Sequence, residues 1–501
     1  MIKHIRPVAL TFSLLYFIGR NSSTAQSVPD SSQIKNDSVR IPTPEIVPMD
    51  TITRPGHNAY GDLLNDDPAY NKRYPVWVPA VGIIGTNVVN WAIARYVYNF
   101  DWARISSETW KQNLKGPWVW DKDRFGINFI GHPHTGSTYF NTARSNGYNY
   151  YQSLPFTLAG SAIWEVFGEN EPPSKNDIIN TTLSGAFLGE VFYRVSSNIL
   201  DDRDRGASRV FRELFAAVLN PNRAINRLWQ GKMFRVTNKE VYQEEPLNIT
   251  LSAGVHKQNE NQKFLSGGTN AIFNLQLDYG DPFELRRRKP FDLFRLRFES
   301  RYGDEKKLID NVTGYGLIAG KNILGGKQGV LLGVFQHFDY WNNVSFELGS
   351  LGFGPGLLSR IDLAPRTKLY SGIHFAVVPL AGNNTRFGPD SLKFRDYNFG
   401  GGMEGKIEET FHFSRWLTIG INAYYYWIYE YEGLKGKSRV GIIKPRIAFR
   451  VLPNTRIGME QHVYWHNRFV DNQPALHQVR TEQKIFLQIN LEDSKRRGKY
   501  Q

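Results

Sequence analysis

From about Leu247 to Leu491 apolar and polar positions alternate with a period of two, the spacing that puts successive side chains on opposite faces of a strand. Phe294, Leu296, Phe298 and Tyr302 share one face, while Arg295, Arg297, Glu299 and Arg301 fill the other. Leu417, Ile419, Ile421 and Ala423 alternate with Thr418, Gly420 and Asn422. Ile443, Ile447, Phe449 and Val451 alternate with Lys444, Arg446 and Arg450. Val479, Ile485, Leu487, Ile489 and Leu491 alternate with Arg480, Glu482, Lys484, Gln488 and Asn490. Twelve such segments are centred near residues 251, 274, 298, 316, 334, 350, 374, 403, 422, 445, 460 and 486. Strands of about ten residues, apolar on one side and charged on the other and even in number, predict an antiparallel transmembrane barrel with a polar interior. Tyr and Trp gather towards strand ends, as at Tyr424 to Tyr431 and Tyr464-Trp465, where an aromatic girdle would lie. A soluble sandwich also alternates, but with shorter strands.

The preceding stretch has a helical period. Residues 60–240 form an all-α domain, with helices over Tyr150 to Phe167, Ser174 to Leu200 and Ser208 to Leu219, broken at Asn146-Gly147 and Pro172-Pro173 and closed at Pro221. Val76 to Tyr98 is long and apolar, yet Pro79, Asn87, Asn90 and Arg95 interrupt it, which favours a helix buried in protein over a membrane span. The predicted fold class is α+β: an N-terminal helical domain, then a barrel over 245–492 and a basic tail over 493–501. A reading of residues 76–200 as an inner-membrane helical bundle is disfavoured by the same interruptions.

At the N-terminus, Lys3 and Arg6 precede a short apolar run from Val8 to Gly19, and Ser23-Thr24-Ala25 offers a cleavage site, so residues 1–25 read as a signal peptide. Residues 26–59, rich in Ser, Pro, Asp and Thr, read as a disordered linker. Export removes nucleic acid as a partner and makes outer-membrane lipid the expected surroundings; the sequence is silent on oligomeric state. The chain has no cysteine, which excludes disulfides, thiolate metal sites and a cysteine nucleophile. Aromatics make up 14 % of the residues while mean hydropathy is negative, a combination suited to alternating strands. The net charge is +14, and Arg295, Arg297, Arg301, Lys444, Arg446, Arg450, Arg480 and Lys484 outnumber Glu299, Glu460 and Glu482 on the predicted inner face. That predicts an anion-attracting lumen, or a surface for an acidic domain to dock on. Gly316, Gly320, Gly325 and Gly326, and Gly400 to Gly402, precede no helix, so they cradle no phosphate; they read as bends or as close approach of something inside the barrel.

Candidate chemistry gathers between Gly126 and Arg194. His132-Pro133-His134-Thr135-Gly136-Ser137 could supply a base and a nucleophile, although a loop entering a helix capped by Thr135 or Ser137 explains the same residues. No second ligand cluster at recognisable spacing accompanies it, so neither metal nor cofactor is expected. Glu165 and Glu169 share a helix face; an apolar setting would make Glu165 an acid, and an ion pair with Arg144 or Arg194 would make it structural. Ser174 to Asp177 reads as a capping box, Gly185 and Gly189 as points of close helix approach, and Glu190 with Arg194 as an i, i+4 pair.

The runs HPHTGSTYFNTARSNGY and WEVFGENEPPSKNDIINTTLSGAFLGEVFYR resemble a family of uncharacterised Gram-negative envelope proteins known as a domain of unknown function, over roughly residues 75 to 200. His132, His134, Gly136, Tyr139, Arg144, Trp164, Glu165, Pro173, Asn176, Asp177, Gly185, Gly189, Glu190 and Arg194 carry the resemblance. It implies an exported protein with this helical segment ahead of an outer-membrane-like barrel, and implies no activity. Two readings follow. In one, the helices plug the barrel or cap it from the periplasm, and the protein serves envelope integrity or the passage or binding of an anionic solute. In the other, it is a lipid-directed hydrolase or acyltransferase, with His132 or His134 as base and Glu165 or Ser137 as partner.

Overall fold

The computed structural model describes residues 72–491, apart from 122, 239–240, 243, 260–263, 304–306, 325–327, 344, 385–396 and 472–473. The expected signal peptide, linker and basic tail, and Gly325 and Gly326, lie outside the described residues. Seven helices come first: α1 (Trp77–Ala92, continued by a π turn, Ile93–Val97), α2 (Ser107–Lys115), α3 (His132–Arg144, entered through a π turn, Ile127–Gly131), α4 (Tyr150–Phe167), α5 (Lys175–Ile199), α6 (Gly206–Leu219) and α7 (Pro221–Trp229). Twelve strands follow: β1 (Leu247–Gln258), β2 (Thr269–Tyr279), β3 (Phe294–Gly303), β4 (Lys307–Leu324), β5 (Gln328–Asn342), β6 (Glu347–Ala364), β7 (Thr367–Asn384), β8 (Asn398–Phe413), β9 (Leu417–Glu432), β10 (Gly436–Leu452), β11 (Thr455–Val470) and β12 (Leu476–Leu491). Each pairs antiparallel with its neighbours in sequence, and β1 closes on β12. Every segment centre read from the alternation falls inside one of these strands.

One contact fixes the sidedness of the wall. Arg297 on β3 and Glu408 on β8 form an ion pair although at least four strands lie between them around the ring, so both point into the lumen. Residues opposite each other in a ladder share a face, which places Thr313, Asp339 and Ser350 inside. Their alternates Gly314, Phe338, Tyr340, Gly349 and Gly382 face outwards. On β7 to β12 the outward positions are an apolar band that includes Phe375, Met403, Ile421, Phe449, Met459 and Leu487, all exposed.

The helices pack against that outer face. Phe187 of α5 stacks on Phe338, ring centroids 5.7 Å apart. Phe129 sits in a slot made by two glycines: a Cβ added at Gly349 or Gly382 would come within 2.2 Å of its ring. Tyr150 donates to Gln336 Oε1 at 2.7 Å, and Gln336 pairs with outward Gly316. Tyr279, Phe294, Val312, Phe338, Tyr340, Leu380 and Phe399 of the wall share one core with Phe125, Phe140, Phe187, Val191 and Val195 of the helices. This corrects two expectations. The described helices lie along the wall, neither filling the lumen nor capping it. Of the glycines expected to admit something from within, Gly316 instead meets the Phe291 ring on the outer side, while Gly400 and Gly402 abut the neighbouring strand.

Call the end of the barrel where β1 begins and β12 ends the base, and the other end the rim. α1, α3, α4 and α5 run alternately between them. At the rim Trp120 packs on Phe399 and Tyr431; at the base Arg194 pairs with Asp292 at 3.1 Å and Asn198 donates to the Glu245 carbonyl. α3 and α5 touch through backbone, since a Cβ at Gly185 would lie 2.6 Å from Gly136 Cα. The bundle's interior is polar: Glu190, fully buried, pairs with Arg144 and Arg194, each at 2.8 Å.

Its surface is the reverse. α1 turns Val81, Ile84, Val88, Val89 and Ile93 outwards and buries Pro79, Ile83 and Asn87. Asn87 Oδ1 accepts from the Tyr139 hydroxyl and its amide donates to the Gly160 carbonyl at 3.3 Å. Two of the interruptions that argued for burial, Pro79 and Asn87, are therefore on the inward face, and most of the apolar residues are on the exposed one. Trp77–Val97 is, among the described residues, the one helical stretch long and apolar enough to cross a membrane. Its 21 residues rise about 30 Å, the thickness of a hydrocarbon core.

Candidate functional site

Side chains from opposite walls cross the lumen. Glu408 takes both Arg295, at 2.5 Å, and Arg297, and Arg297 also donates to the Tyr424 hydroxyl at 2.8 Å. Lys406 pairs with Asp339 at 2.5 Å, Lys484 with Glu299, and Arg301 with Asp310 at 3.2 Å and Glu482 at 3.6 Å. Lys444 lies 4.6 Å from the centre of the Trp341 ring, and Arg446 donates to Gln488 at 2.7 Å. A cavity of about 80 Å³ remains, lined by Arg297, Lys444, Arg446, Lys484, Glu299 and Glu460 among others. Arg450 and Arg480 are not part of this packing: Arg450 donates to the Leu452 carbonyl and Arg480 is exposed. The expected basic excess is offset by lumen acids that the sequence reading left out, Asp310, Asp339 and Glu408 among them. Their strands carry aromatics, glycines or aliphatics around them, which hid the inward register.

A second cluster lies in the bundle, near the rim. His132, Glu165 and Asp177, from α3, α4 and α5, bring one ligand atom each to within 4.8 Å of one another. His132 Nε2 is 3.5 Å from Asp177 Oδ1, and its Nδ1 faces Thr181 Oγ1 at 3.3 Å. The Asn176 amide donates to Asp177 Oδ1 at 2.8 Å, and the Ser174 backbone N–H donates to Glu165 Oε2 at 2.8 Å. Around them, Asp121 Oδ2 accepts from Asn128 at 2.8 Å, and the Trp164 indole donates to Glu169 at 2.6 Å. Acids crowd here. Burial and the nearby Asp121 push the Asp123 carboxyl up to about 6, and burial with Asp177 close by pushes Glu169 up to about 8.

Local sequence explains the convergence. Ser174 caps α5 by accepting from the Asp177 N–H at 3.3 Å. The return half of the expected capping box is missing, because Glu165 rather than Asp177 takes the Ser174 N–H, and Asp177 is left to face His132. A short parallel bridge between Val119 and Ser174, with the Lys175 N–H donating to the Val119 carbonyl at 2.8 Å, ties the cap to the chain that docks on the barrel through Trp120.

The other expected residues go elsewhere. α3 begins at His132 itself, with Pro133 in its first turn, so neither Thr135 nor Ser137 is a cap; Ser137 is buried and donates to the His134 carbonyl at 2.6 Å. His134, two positions on and so on another helix face, is exposed. Arg144 and Arg194 pair with Glu190 rather than with Glu165. Asp177 was read as a cap and as one of the residues carrying the family resemblance, and the ligand spacings of 33 and 12 residues that separate His132, Glu165 and Asp177 match no short motif; the density of acids was the available signal.

No curated protein matches the chain. Among solved structures, it aligns over 49% of its length with the whole of the NanC porin at 10% identity and a TM-score of 0.26. Over 49% it aligns with 96% of the outer membrane channel DcaP of Acinetobacter baumannii at 8% identity and a TM-score of 0.22. Over 49% it aligns with 88% of the Pseudomonas putida toluene transporter TodX at 7% identity and a TM-score of 0.21. Residues 117–222, from the strand-like entry at Val119 through α5 to the start of α7, match the family described as "Domain of unknown function (DUF3943)".

Proposed function

We propose that this is an outer-membrane protein whose barrel anchors a lipid-embedded helical bundle, and that the bundle carries a hydrolytic or acyl-transfer site acting on a membrane amphiphile. The supporting observation is the meeting of His132, Glu165 and Asp177, drawn from three helices, at one end of a bundle with an apolar exterior. The short base connections, such as residues 365–366 and 453–454, are of the kind that face the periplasm in such barrels, so the cluster would face the outer leaflet. Aromatics ring it as at a membrane interface: Tyr98 stacks on Phe100, Phe100 on Trp102, and Trp102 meets Trp164 edge-on at 5.9 Å. His132, oriented by Asp177 and Thr181, serves as the base that activates water or an acceptor hydroxyl, and Glu165 as its acid partner.

In vesicles of phospholipid and lipopolysaccharide, mass spectrometry should detect fatty-acid or headgroup release by the wild type. His132→Ala and Glu165→Gln lower the rate by about 10²-fold or more, and His134→Ala leaves it within a factor of two. Identical lipid profiles with and without protein would remove this reading.

The barrel itself favours a second reading, passage of a solute. Lumen transit requires the Arg295–Arg297–Glu408 contact to part. Glu408→Ala should therefore raise single-channel conductance in planar bilayers well above the wild type; equal traces would leave the lumen a structural core.

A further inference from the structure

We propose that His132, Glu165 and Asp177 together bind one divalent first-row transition ion, Zn²⁺ or Mn²⁺, at the rim end of the bundle. This deepens the reading of that cluster as a lipid-directed site and rests on it for function, though not for binding; with the ion in place His132 would hold it through Nε2 instead of acting as a free base, and the ion would supply the activated water. Three features carry it.

The first is the donor set. One imidazole and two carboxylates suit a borderline ion, and three protein ligands leave a position for water or substrate, as in catalytic rather than structural sites. The second is geometry. Two ligands at about 2.1 Å from a shared ion stand at most about 4.2 Å apart, so a set lying within 4.8 Å closes on an ion with side-chain shifts of order 1 Å. The partners that hold metal ligands in place are already present. Thr181 engages Nδ1 of His132 and leaves Nε2 towards Asp177, Asn176 fixes one oxygen of Asp177, and the Ser174 N–H fixes one oxygen of Glu165.

The third is charge. Elsewhere in the bundle buried acids meet arginine: Glu190 has Arg144 and Arg194, Glu213 has Arg209 and Arg227, and Asp202 has Arg209 and Arg227. Glu165 and Asp177, 3% exposed each, have no lysine or arginine ion pair among the described residues; His132 is the one partner of that kind, and Asp177 alone reaches it. Two carboxylates buried beside one imidazole call for a cation. His132, its side chain 12% exposed, leaves an entry path.

Full-length protein folded in detergent and stripped with EDTA is titrated with Zn²⁺ and with Mn²⁺ by calorimetry. The expected result is one equivalent bound. Affinity should fall at least tenfold in His132→Ala, Glu165→Gln and Asp177→Asn, and stay unchanged in His134→Ala. X-ray absorption of the Zn²⁺-loaded wild type, which needs no variant to fold, should show a mixed nitrogen and oxygen shell with imidazole scattering. Absence of either ion at 1 mM in folded wild type, wild-type affinity in all three variants, a shell of oxygen alone, or binding of Ca²⁺ or Mg²⁺ but neither transition ion would overturn the proposal. An ion bound with no change in any lipid would retire the hydrolase reading and keep the metal site. His132-dependent lipid turnover that persists in EDTA would do the opposite.

Discussion

Glu190→Gln should melt the helical bundle while the barrel persists. Glu190 lies in the bundle interior between Arg144 and Arg194, each 2.8 Å away. Removing its charge leaves Arg144 without its acid and Arg194 with only Asp292. Breaking a buried ionic cluster from one side is worth about 3–5 kcal/mol, enough to unfold a unit of marginal stability. The barrel's own lumen pairs are untouched. The variant should thus keep the barrel's shift in electrophoretic mobility between unheated and boiled samples, while protease cuts appear between residues 77 and 229. A protease pattern like the wild type's would show that Arg144 and Arg194 need no acid, and would contradict the packing described for α3 and α5.

The second large effect is at the wall. Phe129→Ala empties the slot between Gly349 and Gly382, at about 3–5 kcal/mol for a buried phenylalanine, and should loosen the rim end of the bundle. Gly382→Val does the same by filling the slot from the other side, because its Cβ would meet the Phe129 ring at 2.2 Å. Residues in contact do not add. The double variant should therefore be more stable than the sum of the two losses predicts, as the new valine occupies space the ring has left. Strict additivity in thermal unfolding of the bundle, followed by tryptophan fluorescence, would mean that Phe129 and Gly382 do not touch.

The barrel was legible because lipid on one side and packed charge on the other force a strict period of two, visible in Phe294 to Tyr302 and Leu417 to Tyr425 without any partner strand. Helix positions were legible from breaks such as Pro172-Pro173. What hid was sidedness. Alternation tells which residues share a face but not which face meets a neighbour, so Gly349 and Gly382 were indistinguishable from lumen glycines. α1 misled for a related reason: Asn87 and Pro79 looked like defects in a span when they are its inward surface, Asn87 hydrogen-bonded within the bundle. The cluster was half legible. His132 stood out in its His-x-His run and Glu165 as a carboxylate in an apolar helix, whereas Asp177 fitted a capping box so well that its second role was masked. His134 and Ser137 were included by adjacency alone, and the turn of α3 carries them away from His132.

The central claim is that the helices share the membrane with the barrel, lying on its outer wall. The chain has no cysteine, so single cysteines at Val88 on α1 and Ile421 on β9, both exposed and apolar, can each carry a nitroxide in the protein reconstituted into vesicles. Power-saturation spectra then compare collisions with oxygen, which concentrates in lipid, and with a neutral nickel chelate, which stays in water. The account predicts that both labels favour oxygen to a similar degree. A label at Val88 that favours the nickel chelate while the one at Ile421 favours oxygen would put the helices in water and contradict it.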